Sequence, residues 1–293
     1  RLGKEWTAEE EAAWVADVYE FYGDDAEEEL DVVPSQSAGA YLPGVLIEAR
    51  MRPVPIVRLS KTDAFGEYPE PFRRAEIAGW CDEVLLPLLQ ALDPKREHAL
   101  GEDFARSGDL TVLTPAEIGQ DLIRRVPFQV ELRNIPFKQQ EQILWYILDR
   151  LPRFRSAALD SRGNGQQMAE NTADKYGHGR IHQIMLTDKW YAENFPPLKT
   201  AFEDAMIEIP QDADVRDDLR AVQVVGGTPK IPKTTGQGKK GERRHGDSAI
   251  ALLLMWFATT QDPCEYAYEP VGRNVEDRPV KATAALGATK GLW

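Results

Sequence analysis

The chain has 293 residues, of which 42% are hydrophobic and 28% charged, values that are ordinary for a globular protein. The sequence shows neither a signal peptide nor a transmembrane segment, so we expect no membrane association. Its two cysteines and four histidines are widely scattered. That spacing excludes a disulfide framework and a zinc site, and it is typical of a reducing compartment.

The net charge of −13 is unevenly distributed along the chain. Residues 1–50 contain 13 acidic and 3 basic side chains, so most of the negative charge lies there. One later stretch is basic and is a candidate for binding phosphate groups. A solvated flexible loop would have the same composition. The basic side chains of this stretch are Lys230, Lys233, Lys239, Lys240, Arg243 and Arg244.

The first 96 residues predict a linker region and not a separate catalytic domain. Residues 5–22 have helical spacing, and an acidic run and a loop rich in proline and glycine follow. Residues 52–71 predict an extended connector, and residues 71–92 predict a second helix.

From about residue 97 the pattern changes to strands and then to alternating helices and strands. Two strands flank an Arg-Ser-Gly turn within 100–118, and a third is predicted over 124–134. The further elements are a helix over 137–151, a strand over 155–160, a helix over 163–177, a strand over 180–186, a helix over 188–205 interrupted at Pro-Pro, and a last apolar helix beginning near Asp247. This order predicts an α/β fold with a mixed sheet and helices on its faces. Residues 263–293 lack periodicity and predict a partly disordered tail.

Three aspartates stand where these elements could meet. Asp103 lies in the first strand of the hairpin, Asp160 ends the fourth strand, and Asp247 begins the last helix. Each has a plain alternative: Asp103 could face solvent, and the other two could cap helices. The first and fourth strands are plausible neighbours, and the last helix could start against their ends. Three carboxylates gathered without cysteine or histidine would suit a two-ion Mg²⁺ or Mn²⁺ site.

Four stretches carry a resemblance to a known family. In this order they are LGEDFARSGDLTVL, FQVELRNIPFKQQEQIL, AALDSRGNGQQMAE and RRHGDSAIALLLMWFA. Together they resemble the nuclease domain of the large terminase subunit of Mu-like phages and prophages, a domain of the RNase H-like superfamily. The resemblance covers residues 97–262, and YGDDAEEELDVVPSQ more weakly resembles the segment that follows the ATPase core.

The resemblance implies an RNase H-like nuclease domain over 97–262 and a metal-dependent endonuclease that cuts double-stranded DNA for packaging. The family's three acids fall on Asp103, Asp160 and Asp247. Asp109, beside the hairpin turn, matches a recurring acid that either binds metal or orients the loop. The implied partners are the terminase small subunit and the portal, in the host bacterial cytoplasm, and the basic stretch would contact the DNA backbone.

Other sequence features separate the competing hypotheses. The resemblance implies that residues 1–96 follow an ATPase domain, and since no GxxxxGK[ST] phosphate-binding loop occurs, this chain would lack that domain. The Gly163–Gly165 turn lacks the rest of a dinucleotide fingerprint, and no GxSxG elbow is present. The alternatives to a packaging endonuclease are an RNase H-like junction resolvase or transposase-like nuclease, and a non-catalytic module that docks the motor.

Overall fold

The computed structural model describes residues 7–22, 30, 40–105, 110–232 and 246–261. The first elements are α1 (Ala8–Tyr22), α2 (Gly44–Glu48), β1 (Met51–Arg52), β2 (Ile56–Ser60), α3 (Asp63–Glu67), α4 (Glu70–Trp80) and α5 (Leu86–Gln90), with a π-helical turn (Cys81–Leu85) joining α4 to α5. The helices α4 and α5 correspond to the helix that the sequence predicts over 71–92.

The remaining elements begin with the strands at the centre of the sheet. They are β3 (Glu97–Asp103), β4 (Thr111–Ile118), β5 (Arg124–Arg125), β6 (Gln129–Arg133), α6 (Phe137–Leu148), β7 (Phe154–Asp160), α7 (Gly165–Tyr176), β8 (Ile181–Ile184), α8 (Asp188–Glu203), β9 (Ile207–Pro210), α9 (Ala213–Arg220), β10 (Gln223–Val225), β11 (Thr228–Lys230) and α10 (Asp247–Thr260).

The central sheet is mixed. Strands β3 and β4 form the predicted antiparallel hairpin, and β6 pairs antiparallel with the start of β4. On the other edge of β3, strands β7 and β8 follow in parallel. The resulting order, β6-β4-β3-β7-β8, has three antiparallel strands followed by two parallel ones. The predicted mixed sheet, with three antiparallel strands followed by strands that alternate with helices, is therefore confirmed.

Side chains from the two faces of the sheet enter two separate hydrophobic cores. Ala99 of β3 and Ala158 of β7 pack with residues of α8 and α10. Their neighbours in the strands, such as Leu100 and Leu159, pack with residues of α4, α6 and α7 on the opposite face. This alternation follows from the two-residue period of a strand, and it covers the sheet with helices on both sides.

Helix α10 lies directly on β3. A Cβ atom built on Gly101 would come within 2.1 Å of the Met255 backbone nitrogen and 2.2 Å of the Ala251 carbonyl oxygen. The Ser156 hydroxyl of β7 donates a hydrogen bond to the Ala258 carbonyl at 2.6 Å. Nearly every residue of α10 is buried. A helix buried on all sides needs no polar face, which explains its uniformly apolar sequence.

Several elements of the structure differ from the sequence-based predictions. The predicted third strand is divided into β5 and β6, with Pro127 between them, because proline has no N–H for the ladder. Helix α8 continues across Pro196 and Pro197, and the buried side chains of Phe195, Leu198 and Phe202 hold it in place on the core. The elements from β9 to β11 were not predicted at all.

Part of the predicted linker region lies in the sheet. Strand β2 pairs in parallel with β6, and β1 pairs in parallel with β9. Through β5 and β9, strand β1 is connected to the far end of β4. The division at residue 97 therefore separates two sequence patterns and does not separate two sheets. The predicted tail over 263–293 lies outside the described residues.

Candidate active site

Asp103 and Asp160 end two neighbouring strands on the same face of the sheet. In the parallel pair of β3 and β7, Glu102 is the register partner of Leu159, so the next residues, Asp103 and Asp160, lie side by side. Asp103 and Asp160 lie two residues after Gly101 and Ala158 in their strands, so they are on the same face of the sheet, which is the face that α10 covers. The solvent-facing alternative for Asp103 is wrong, because that residue is only 7% exposed.

Asp247 approaches the same place from the start of α10. It is the first helical residue and is buried, and the N-cap position belongs to Gly246, whose φ of 78° is in the left-handed region. The buried carboxylate of Asp218 accepts the Ser248 backbone N–H at 3.0 Å. Another acid therefore satisfies a backbone N–H in this first turn, so the alternative of Asp247 as the N-cap is wrong.

The three aspartates interact electrostatically. Burial raises the pKa of Asp103 well above its usual range, and the nearby carboxylates of Asp247 and Asp160 raise it further. Arg162 opposes these effects and lowers the pKa of Asp103. Like charges disfavour ionisation of one another, so the carboxylates of Asp247 and Asp160 are near enough to Asp103 to affect its pKa. Such a cluster would be stabilised by a cation.

Arg162 is a cation at the site that the sequence analysis did not single out. Its Nη2 lies 2.8 Å from Asp160 Oδ2 and 4.0 Å from Asp103 Oδ1. The Nε of Arg162 is 3.0 and 3.1 Å from the two oxygens of Asp160. The guanidinium therefore binds both oxygens of Asp160. A basic residue two positions after a strand-ending aspartate was the available sequence signal.

Two further side chains border the carboxylates. Tyr191 of α8 is buried, and burial raises the pKa of its hydroxyl. Arg162 lowers this pKa, whereas Asp103 and Asp160 raise it, so the hydroxyl is near enough to the site to be affected by its charges. Glu102 projects from the opposite face of β3, and burial, Asp160 and Glu141 raise its pKa to about 8. No sequence pattern pointed to either residue, because their proximity depends on tertiary packing.

The donor set fits a hard divalent cation in chemistry and in charge. Carboxylate oxygens are the ligands that Mg²⁺ and Mn²⁺ prefer, and the repulsion around Asp103 is what a dication would relieve. Within the described ranges, no group of three or more His, Cys, Asp or Glu side chains is already arranged to hold a metal ion. Since Arg162 binds both oxygens of Asp160, coordination of an ion by Asp160 would require this guanidinium to move.

Most of the remaining predicted site residues lie outside the described residues. These are Asp109 and five of the six basic residues, namely Lys233, Lys239, Lys240, Arg243 and Arg244. The sixth, Lys230, is the last residue of β11, and its ammonium is 2.7 Å from the Asp188 carboxylate. Lys230 is thus paired within the protein.

Two curated relatives match most of the chain. It is 46% identical to the probable terminase, large subunit gp28, of Escherichia phage Mu over 256 residues, which are 85% of this chain and 46% of that protein. It is 38% identical to the Mu-like prophage FluMu protein gp28 of Haemophilus influenzae over 276 residues, which are 93% of this chain and 54% of that protein. The resemblance to Mu-like large terminase subunits is confirmed.

The chain spans about half the length of these Mu-like relatives. No protein-family model matches it. Among solved structures, the magnesium-bound large terminase nuclease from thermophilic phage G20c aligns with a TM-score of 0.45 and 17% identity, covering 56% of this chain and 82% of that one. In the described part of the chain, no helix has the length and apolar character that a membrane span requires.

Proposed function

We propose that this chain is the nuclease portion of a phage DNA-packaging terminase and that it is a metal-dependent endonuclease. One observation carries the proposal: Asp103 and Asp160 end two adjacent strands, Asp247 begins the helix that packs on them, all three are buried, and the charges of Asp247 and Asp160 raise the pKa of Asp103. Burying several acids together is unfavourable for folding, which makes a catalytic or metal-binding role the better explanation. The Mu-like relatives support the assignment to packaging.

Asp103, Asp160 and Asp247 would hold Mg²⁺ or Mn²⁺. Bound as a pair, such ions supply an activated water and stabilise the departing oxygen of a phosphodiester. The protein contributes position: both strand-end aspartates are fixed by the ladder, and Asp247 by the close packing of α10 on β3. The N-terminus of α10 adds a favourable field for negative charge at this place.

The substrate would be double-stranded DNA held through its backbone. Basic residues at Lys233, Lys239, Lys240, Arg243 and Arg244 immediately precede Asp247 in sequence. Cations at such positions would bind phosphates without reading base sequence. In the virus, the terminase small subunit and the portal would be the partners, and the host bacterial cytoplasm the place of action. Asp109 stays a candidate for metal binding or for orienting the hairpin loop.

Cleavage of supercoiled plasmid in Mg²⁺ or Mn²⁺ tests this function. We expect the wild-type chain to cut and Asp160→Asn to be inactive, because the amide keeps the size of the side chain and loses its charge. Asp174→Asn is a matched control, since Asp174 is an exposed aspartate paired with His178 on α7. Full activity of Asp160→Asn would reduce Asp160 to a structural residue and refute the proposal.

Substrate shape tests the assignment to packaging separately. A packaging endonuclease should cut linear duplex at least as readily as a four-way junction of equal length. A strong preference for the junction would favour a resolvase. Absence of both cleavage and Mn²⁺ binding in the wild-type chain would favour a docking module.

A further inference from the structure

The contacts of Arg162 resemble those of a bound cation. Besides the guanidinium contacts, its backbone N–H donates to Asp160 Oδ1 at 3.0 Å. Its Nη2 extends towards Asp103 and reaches 4.0 Å from Oδ1. Charge-assisted contacts of this bidentate kind are among the stronger hydrogen bonds in proteins. One guanidinium therefore partly neutralises two of the three aspartates.

The two sides of this contact differ in their freedom to move. The Arg162 side chain is 48% exposed, whereas those of Asp160 and Asp103 are 4% and 10% exposed. Arg162 lies in the turn between β7 and α7, immediately before Gly163, whose φ of 56° only glycine adopts readily. The guanidinium can turn outward without disturbing the core, while the ends of the strands hold the carboxylates in place.

We propose that Arg162 is an exchangeable counter-cation, which leaves Asp160 when a divalent ion binds and then contacts a DNA phosphate. The inference rests on the proposed nuclease function and assigns to Arg162 a role in coupling metal binding to DNA binding. The four contacts from Arg162 use about as many lone-pair sites as the Asp160 carboxylate has, so a metal ion would compete with the guanidinium for the same oxygens, and the two positive charges would repel each other. A phosphate, in turn, offers the displaced guanidinium a bidentate partner.

This exchange predicts a reciprocal linkage. If metal binding releases Arg162 for phosphate, DNA binding must favour metal binding by the same factor. Removing the guanidinium should then strengthen Mn²⁺ binding in the absence of DNA and weaken DNA binding in the presence of Mn²⁺. A purely structural role, in which Arg162 only holds Asp160 in place, predicts that the same substitution weakens Mn²⁺ binding.

The test is a Mn²⁺ titration of wild type, Arg162→Gln and Arg162→Lys, with free Mn²⁺ followed by electron paramagnetic resonance. We expect Arg162→Gln to bind Mn²⁺ about fivefold or more tightly than wild type, within the usual range of coupling factors. Arg162→Lys should fall between them, since lysine keeps the charge and loses the planar fork. Arg125→Gln is the matched control: Arg125 binds Asp121 through two nitrogens, and β5 pairs with the opposite end of β4.

A second titration measures coupling directly. The affinity for a labelled phosphorothioate duplex is compared with and without Mn²⁺, and we expect the enhancement seen in wild type to be lost in Arg162→Gln. Thermal unfolding verifies that each variant is folded. Weaker or unchanged Mn²⁺ binding by Arg162→Gln, when wild type binds Mn²⁺ and Asp160→Asn does not, would overturn the exchange and leave the nuclease function standing. No Mn²⁺ binding by wild type would overturn both.

Discussion

Asp103 is an ionisable group in a place where burial disfavours its charge. Water is largely excluded from it, two further acids repel it, and the attraction of Arg162 only partly compensates, since its pKa remains well above the usual range. Side chains that lower the stability of the folded protein are typical of functional sites. The electrostatics of Asp103 therefore allow a stability test of its role.

Replacing Asp103 with asparagine should stabilise the metal-free protein. The amide fills the same space and removes the repulsion with Asp160 and Asp247, so we expect the free energy of unfolding at pH 7.5 to rise by about 0.5–2 kcal/mol, the usual range for single stabilising substitutions. Added Mn²⁺ should stabilise wild type and not the variant. The measurement is urea unfolding with and without Mn²⁺, beside the Asp174→Asn control. A less stable Asp103→Asn would show that the carboxylate is needed for folding.

His98 offers a second test, at the start of β3. Its Nδ1 is 2.7 Å from the Pro152 carbonyl oxygen, so the ring donates this hydrogen bond, and burial lowers its pKa. The unfolded chain then takes up a proton at a higher pH than the folded one. Stability should fall as the pH drops below about 6.5, the usual value for histidine, and continue to fall until the folded pKa is reached.

We therefore expect His98→Gln to flatten the pH dependence of unfolding. Between pH 7.5 and 5, its urea midpoint should fall less than that of wild type, because no imidazole is left to take up the proton. His178→Gln serves as the control, since the His178 side chain, two residues after the end of α7, is 70% exposed. If His98→Gln kept the wild-type slope, the acid sensitivity would have to come from other groups.

At the scale of elements, the sequence predicts those helices and strands whose hydrophobic residues recur with a clear period. The hairpin, the helices α6, α7 and α10, and the strands β7 and β8 were all predicted, because each shows one clear period between turn residues. The adjacency of β3 and β7 was also predicted, and it brings Asp103 and Asp160 together. Elements β9 to β11 were missed: they are strands of three or four residues and a helix of eight, too short for a period to be recognised.

The same limit explains what was missed at the site. The positions of the three aspartates follow from element order, whereas the approach of Arg162 and Tyr191 follows from side-chain packing, which has no short sequence signature. The role of Asp218 at the start of α10 depends on α9, one of the elements that were missed. Local pattern thus predicted the acids and could not predict the groups around them.

The contact between β3 and α10 gives a prediction at this scale. Gly101→Ala should lower the free energy of unfolding by about 2–4 kcal/mol, because the new Cβ would overlap backbone atoms of α10, which cannot rotate away. It should also impair Mn²⁺ binding by shifting Asp247. Gly79→Ala is the matched control: apart from its own stretch of helix, no atom of the described residues lies within 4 Å of its Cβ position, and alanine favours the helix. Equal stability of the two variants in urea would contradict the close packing.

At the scale of the whole molecule, the distribution of charge matters more than its sum. A net charge of −13 repels DNA, but most of this charge lies in the first 50 residues. Beyond a Debye length of about 8 Å at physiological salt, such repulsion is largely screened. Cations that are close to Asp247 in the sequence can therefore dominate binding. Lys230 is paired with Asp188 and therefore serves as a control for the other basic residues.

Replacing Lys239, Lys240, Arg243 and Arg244 with alanine should weaken binding to all duplexes alike. Each cation that contacts a phosphate adds about 0.9 to the slope of log affinity against log salt, so the quadruple variant should show a flatter slope. Glycine and threonine within this stretch do not favour a rigid recognition helix, so base sequence should not matter.

The measurement is the affinity of the uncleaved complex for two unrelated duplexes across a salt series. Lys230→Ala should change the slope less than a quarter as much as the quadruple variant, because its ammonium already has a carboxylate partner. Cleavage at saturating DNA should suffer less than binding, since none of these cations belongs to the proposed metal ligands. An unchanged slope in the quadruple variant would assign the basic stretch to a solvated loop and leave backbone binding to other cations, with Arg162 the first to test.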